Sequence, residues 1–175
     1  MIATNVFLDA IQKAGIEFIS GVPDSLLKHI CAGITNSYSS HNHIIATNEG
    51  SAVGLAIGHY LATSKPALVY MQNSGLGNVI NPILSLADPE VYSIPMVLLI
   101  GWRGEIKDDN SQLTDEPQHK KQGKVTLPLL ESIGIPYKIL DGETDNVAIL
   151  FEEIVKDSIQ RSGPVALVVR KNTFS

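Results

Sequence analysis

Four short segments of this sequence hold the residue types that move protons or bind anions. The first, Gly21-Val22-Pro23-Asp24-Ser25, follows an apolar run and reads as a tight turn. Asp24 or Ser25 either caps the helix expected over 26–34 or offers an acid for proton transfer. The second, Asn48-Glu49-Gly50-Ser51-Ala52, opens a helix with Gly50, Gly54 and Gly58 at four-residue spacing. In a first turn Glu49 complements the helix dipole; turned into a dry crevice it keeps its proton to higher pH and becomes a donor. Each glycine costs about 1 kcal/mol relative to alanine in a helix interior, so the shared face predicts a closely packed neighbour, either another helix backbone or a partner.

The third segment is Gln72-Asn73-Ser74-Gly75-Leu76-Gly77-Asn78. Glycines just after a strand let the backbone approach a ligand. It is no P-loop, lacking the Lys-Ser/Thr ending, and no G-x-G-x-x-G, because Ile80 takes the third glycine's place. The fourth pairs Gly101-Trp102-Arg103-Gly104 with a stretch from Asp115 to Lys124. There Arg103, Lys120, Lys121 and Lys124 form a basic run, either a solvated face or a hold for an anionic substrate. His119 sits inside it. His41 and His43 have no third ligand at metal-like spacing, so no protein metal site is expected.

All four segments lie where strands give way to other elements. Strands are expected over 18–22, 43–47, 67–72, 96–101, 137–140 and 165–170. Several are unbroken apolar runs (ALVYMQ, MVLLIG, VALVVR), the signature of strands buried on both faces. Between them apolar residues recur at helical spacing: Phe7, Ala10, Ile11 and Ala14 before Gly15, and Val147, Leu150, Phe151, Ile154, Val155 and Ile159 in a helix over 144–160. This alternation predicts a three-layer α/β/α domain on a six-stranded parallel sheet, with ligands bound at the carboxyl ends of the strands. The polar stretch 102–125 reads as a long irregular loop at that edge, of a length that usually serves function.

Composition narrows the classes. The chain has 175 residues, 44% hydrophobic, with 13 Lys+Arg against 18 Asp+Glu for a net charge of −5. One domain over 1–175 is expected. The acidic balance disfavours nucleic-acid binding, and the single cysteine, Cys31, excludes an intrachain disulfide. No apolar run reaches the roughly 18 residues of a membrane span. No basic segment precedes Asp9 as in a signal peptide. A cytoplasmic domain is the expectation.

In order and spacing, GVPDSLLK, NEGSAVGLAIGHYLAT, VYMQNSGLGNVINP, IGWRG and DEPQHKKQG resemble the pyrimidine-binding (Pyr) domain of thiamine-diphosphate-dependent decarboxylases. The resemblance covers almost the whole chain. MQNSGLGN with GWRG and DEPQH is most similar to the phosphonopyruvate decarboxylase branch, and next to the alpha subunit of sulfopyruvate decarboxylase.

The resemblance implies that Glu49 bonds N1′ of the cofactor's aminopyrimidine and shares its proton, which activates the thiazolium carbon that takes up electrons as CO2 leaves. It implies that Pro23, Asn73, Ser74 and Gly75 border the cofactor. Asp24 falls at the turn where related decarboxylases carry a proton-transfer acid, though without the extra glycine many of them have before it. His119 falls where pyruvate-type relatives place active-site histidines, here one residue followed by Lys120 instead of a pair. That departure suits a substrate with an extra negative group, with Arg103, Lys120 and Lys121 as its contacts. The family holds Mg2+ and the diphosphate on a second (PP) domain marked by Gly-Asp-Gly, which this sequence lacks.

The resulting expectation is a Pyr half-site, completed by a PP domain or beta subunit and homo-oligomeric through the Pyr domain. Its reaction would be decarboxylation of a small anionic 2-keto acid: phosphonopyruvate to phosphonoacetaldehyde first, sulfopyruvate as the alternative. Two other readings stay open. One is a non-catalytic assembly module of the same fold, the other a generic nucleotide-binding domain resting on Gly75-Leu76-Gly77.

Overall fold

All six expected strands form, within about two residues of the anticipated ends, in a computed structural model describing residues 1–175. They are β1 (Ile19–Gly21), β2 (His43–Ile45), β3 (Ala67–Gln72), β4 (Met96–Gly101), β5 (Tyr137–Leu140) and β6 (Pro164–Val169). Every pairing is parallel, in the order β2-β1-β3-β4-β6-β5. The helices are α1 (Thr4–Lys13), α2 (Lys28–Ser37), α3 (Glu49–Thr63), α4 (Leu76–Pro82), α5 (Pro117–Ser132) and α6 (Val147–Arg161).

The pleat divides each central strand between two cores. Leu68 and Tyr70, Val97 and Leu99, and Val165, Leu167 and Val169 face α1, α2 and α6. Val69 and Met71, Met96, Leu98 and Ile100, and Ala166 and Val168 face α3, α4 and α5. Each fully buried aliphatic side chain contributes about 1.5–3 kcal/mol. Because a one-residue slip would exchange the faces, the burial also fixes register. Gln72, Gly101 and Val169 are therefore paired in line across β3, β4 and β6, and their carboxyl ends are flush. Strand order reverses between β1 and β3, the switch point at which such sheets open a crevice.

Three expectations need correction. Residues 102–125 are not one long loop, since α5 starts at Pro117, where a proline's missing N–H costs nothing. Neither Asp24 nor Ser25 caps α2, which begins later, at Lys28, behind Leu27 and without a side-chain cap. Ile159 lies outside the buried stripe of α6 and is exposed. The glycine face of α3 meets this chain at its start, where a side chain on Gly50 would meet the Asn78 carbonyl, while Gly54 and Gly58 have open space before them, as the partner alternative requires.

Candidate active site at the carboxyl edge of the sheet

Glu49 is the first residue of α3, immediately beyond β2, and is half-buried. Its carboxylate reaches the turn after β3, where Asn78 Nδ2 donates to Oε2 at 2.7 Å. It lies directly over Gly75: a Cβ there would stand 2.5–2.6 Å from Glu49 Cγ, Cδ and Oε1. Gly75 is thus the space the carboxylate occupies, and Oε1 is left without a partner, free to meet a nitrogen of a bound ring. Sequence reasoning missed Asn78. Its signal was its place at the end of the QNSGLGN turn.

Asp24, in the turn after β1, is 5% exposed, and neither carboxylate oxygen has a hydrogen-bond partner. It lies against Gly101 at the tip of β4, so closely that a side chain on Gly101 would overlap Oδ2. Burial pushes its pKa up; the nearby Leu26 and Leu27 amides, which do not close to hydrogen bonds, and the Arg103 charge pull partly back. A buried acid without a hydrogen-bond partner calls for an explanation, and a role in proton transfer is one. The Asp24 carboxyl group and Glu49 Oε1, which has no hydrogen-bond partner above Gly75, are polar atoms of the kind a thiamine-type aminopyrimidine and a protonatable carbon would need.

Arg103, Asp115 and His119 form one network beside it. Asp115 accepts from Arg103 Nε at 3.0 Å and Nη2 at 2.8 Å, from the Gly104 amide at 3.1 Å and from the Glu116 amide at 2.9 Å. His119 Nδ1 lies 2.9 Å from the same carboxylate. Arg103, then His119, hold Asp115 far below the usual carboxylate range. An ionised carboxylate can only accept, so the His119 proton sits on Nδ1 and Nε2 is left available. Arg103 Nη1 donates to Ser25 Oγ at 2.8 Å, joining this network to the Asp24 turn.

The sequence thus identified Arg103 and His119 but not the acid that positions both. Arg103 is consequently no free cation. Replacing Asp115 by Asn is expected to cost about 1.5–3 kcal/mol at pH 7, the worth of charge-assisted hydrogen bonds. The parent's advantage is present above the unfolded carboxyl pKa and lost as pH falls toward the depressed folded value. Melting curves of the two proteins should therefore converge below about pH 4.

The remaining expected residues are scattered along the same edge. Asn73 is buried and its amide is committed: Nδ2 donates to the Arg103 carbonyl at 3.0 Å and Thr126 Oγ1 at 2.8 Å, and Oδ1 accepts from the Arg103 amide at 3.2 Å. Any contact it makes with a ligand runs through its main chain. Ser74 is exposed and accepts from Gln72 Nε2 at 2.8 Å. Pro23 is exposed at the turn, and Lys120 and Lys121 are exposed on α5 without ion-pair partners. No group of three His, Cys, Asp or Glu side chains converges as a metal site, and no helix is long and apolar enough to cross a membrane.

Comparison with known proteins gives the same picture. Residues 1–124 match the family described as thiamine pyrophosphate enzyme, N-terminal TPP binding domain. The chain is 35% identical to sulfopyruvate decarboxylase subunit alpha of Methanococcus maripaludis, over 97% of this chain and 95% of that protein. It is 30% identical to phosphonopyruvate decarboxylase of Streptomyces viridochromogenes, over 86% of this chain but only 36% of the longer relative. Benzoylformate decarboxylase from Polynucleobacter necessarius shares the fold with a TM-score of 0.66 at 19% identity, over 95% of this chain and 29% of that one. A Glu49 carboxylate over Gly75, on a sheet of this topology and with this sequence, places the chain in the family of thiamine pyrophosphate enzymes, as an N-terminal TPP-binding domain of the decarboxylase type.

Proposed function

We propose that this chain supplies the pyrimidine side of an active site that decarboxylates a three-carbon 2-keto acid with an anionic tail. The observation that carries the reading is the Glu49 carboxylate, fixed by Asn78 above Gly75 at the switch-point edge. Thiamine diphosphate, once bound, supplies the electron sink for breaking the bond to CO2. The residues of this chain hold and move protons around it. Glu49 Oε1 shares a proton with a ring nitrogen. Asp24, whose burial favours the neutral acid, donates to the carbon that CO2 has left. His119 Nε2, on the far side of the ring from the Nδ1–H that Asp115 accepts, offers an acceptor whose orientation Asp115 sets.

Mg2+ and the diphosphate belong to a partner PP domain, and the open Gly54–Gly58 face of α3 supports helix docking there. The near full-length match to a protein named as an alpha subunit favours sulfopyruvate and a separate partner chain. The match to phosphonopyruvate decarboxylase over 86% of this chain supports the second reading.

The test is reconstitution. The chain is mixed with a PP-type partner, thiamine diphosphate and Mg2+, and CO2 release is followed with sulfopyruvate, phosphonopyruvate and an uncharged 2-keto acid. Turnover is expected only when both chains are present, with the anionic acids preferred. A tight complex that turns over no 2-keto acid would instead identify an assembly module.

A further inference from the structure

Of the basic residues expected from the sequence to hold an anion, Arg103 is paired with Asp115, and Lys120 and Lys121 are exposed on α5. A different cationic site lies on the same edge. The carboxyl ends of β1, β4 and β6 and the first turn of α2 enclose a cleft of about 580 Å3 lined by Ser25, Lys28, His29, Arg103 and Lys171. No Asp or Glu lines it, although the chain as a whole is acidic. Met1 and Ser175 also border it.

We propose that this cleft receives the tetrahedral oxyanion, sulfonate or phosphonate, at the far end of the substrate. The inference rests on the decarboxylase reading above. The Lys28 and Lys171 ammonium groups have no ion-pair partner in the chain, so their charge is available to a ligand. The Ser25 hydroxyl adds direction. Arg103 Nη1 already donates to Oγ, so the hydroxyl's own proton is free to be given to an oxyanion. The main chain at Lys171 is pinned, because its amide donates to Oε2 of the buried Glu105 at 2.7 Å, and Glu105 pairs with Arg170. This anchoring holds the base of the Lys171 side chain at the cleft wall. Asp24 precedes Ser25 in the same turn, and Arg103, which donates to Ser25 and lowers the Asp24 pKa through its charge, links the cleft wall to that turn. Specificity for the charged tail and proton delivery to the reacting carbon then come from adjacent residues of one turn.

Two measurements test this. In the first, the 175-residue chain is titrated with methylphosphonate and, separately, methanesulfonate while amide NMR shifts are followed. Saturable shifts are expected at Ser25, Lys28 and Lys171, and they should vanish in the Lys28→Gln/Lys171→Gln double variant. A spectrum otherwise like the parent's verifies its fold. The arm that binds more tightly identifies the anion. Shifts centred on Lys120 and Lys121, or none, overturn the proposal. In the second, each single Gln variant is assayed in the reconstituted enzyme, and kcat/KM for the anionic acid is divided by that for 2-ketobutyrate. The ratio should drop about tenfold or more per lysine, as expected for loss of a charge-assisted contact. An active enzyme whose ratio does not move refutes the cleft and leaves the decarboxylase reading intact. A chain that binds the anions at the cleft but gains no activity with a PP partner refutes the decarboxylase reading and leaves the anion site standing.

Discussion

Replacing Glu49 with Gln is expected to lower turnover of the reconstituted enzyme by about 10²–10⁴-fold, the usual worth of a positioned proton-transfer group. The substitution is nearly isosteric. Its amide oxygen still accepts from Asn78 Nδ2, and a half-buried first-turn position tolerates the change within about 0.5 kcal/mol. What is lost is the ability to hold a proton. A companion change, Gly75→Ala, keeps the carboxylate and moves it. The new Cβ would stand 2.5–2.6 Å from the Glu49 side chain, which is flexible and yields, so the fold survives with little penalty. A displacement of about 1 Å at a reacting group costs on the order of 10² in rate. Turnover and thermal melts of both variants, measured side by side, separate chemistry from folding. Should Glu49→Gln retain most of its activity, the carboxylate has no part in proton transfer. Should Gly75→Ala do so, the position enforced by Asn78 and Gly75 is unimportant.

The sheet was legible because its signal is dense. Runs such as MVLLIG and VALVV have no polar residue to orient, which is what burial on both faces demands, and β4 and β6 are indeed buried throughout. The turns were legible for a related reason, since glycines and acids gather wherever a strand ends. Helix α5 was not. Its first turns read PQHKKQGK, with no apolar stripe, because the helix docks through its main chain. Gly123 rests against the Gly104 carbonyl, Trp102 Nε1 donates to the Gly123 carbonyl at 2.9 Å, and Thr126 meets Asn73. Hydrophobic periodicity does not register contacts of that kind. Asp115 was invisible on similar grounds. Its importance arises only when the segment after β4 folds back to bring it beside Arg103, and no local pattern marks that return. The α3 glycines show another kind of limit: their spacing pointed to a close neighbour without saying whether it belongs to this chain, and within the chain only Gly50 meets one.

Asp24→Asn is expected to make the chain more stable at neutral pH and the enzyme much less active. Both oxygens of Asp24 are buried without partners, so the ionised form carries a desolvation cost that nothing in the chain offsets in full. The sign follows from linkage. Burial raises the folded-state pKa above the unfolded value of about 3.9, so over the interval between them the folded chain binds more protons than the unfolded one. Stability contributed by Asp24 therefore falls as pH climbs through that interval, and the penalty stays constant above it. Asn is neutral at every pH and removes the penalty, although its amide keeps the cost of an unpaired dipole. The net gain at pH 7 should be about 1–3 kcal/mol, with each kcal/mol raising the melting temperature by about 2–4 °C in a chain of this size. Below the unfolded carboxyl pKa the gain should disappear, because the parent is then neutral as well. Loss of ion pairs such as that of Asp115 destabilises both proteins in acid, but it cancels in their difference. Activity in the reconstituted enzyme should fall by about 10² or more, the cost of losing a general acid. Opposite movements of stability and activity are the mark of a group kept for chemistry at the expense of folding. A variant that melts lower than the parent at pH 7 while retaining its turnover would show that Asp24 is a structural acid.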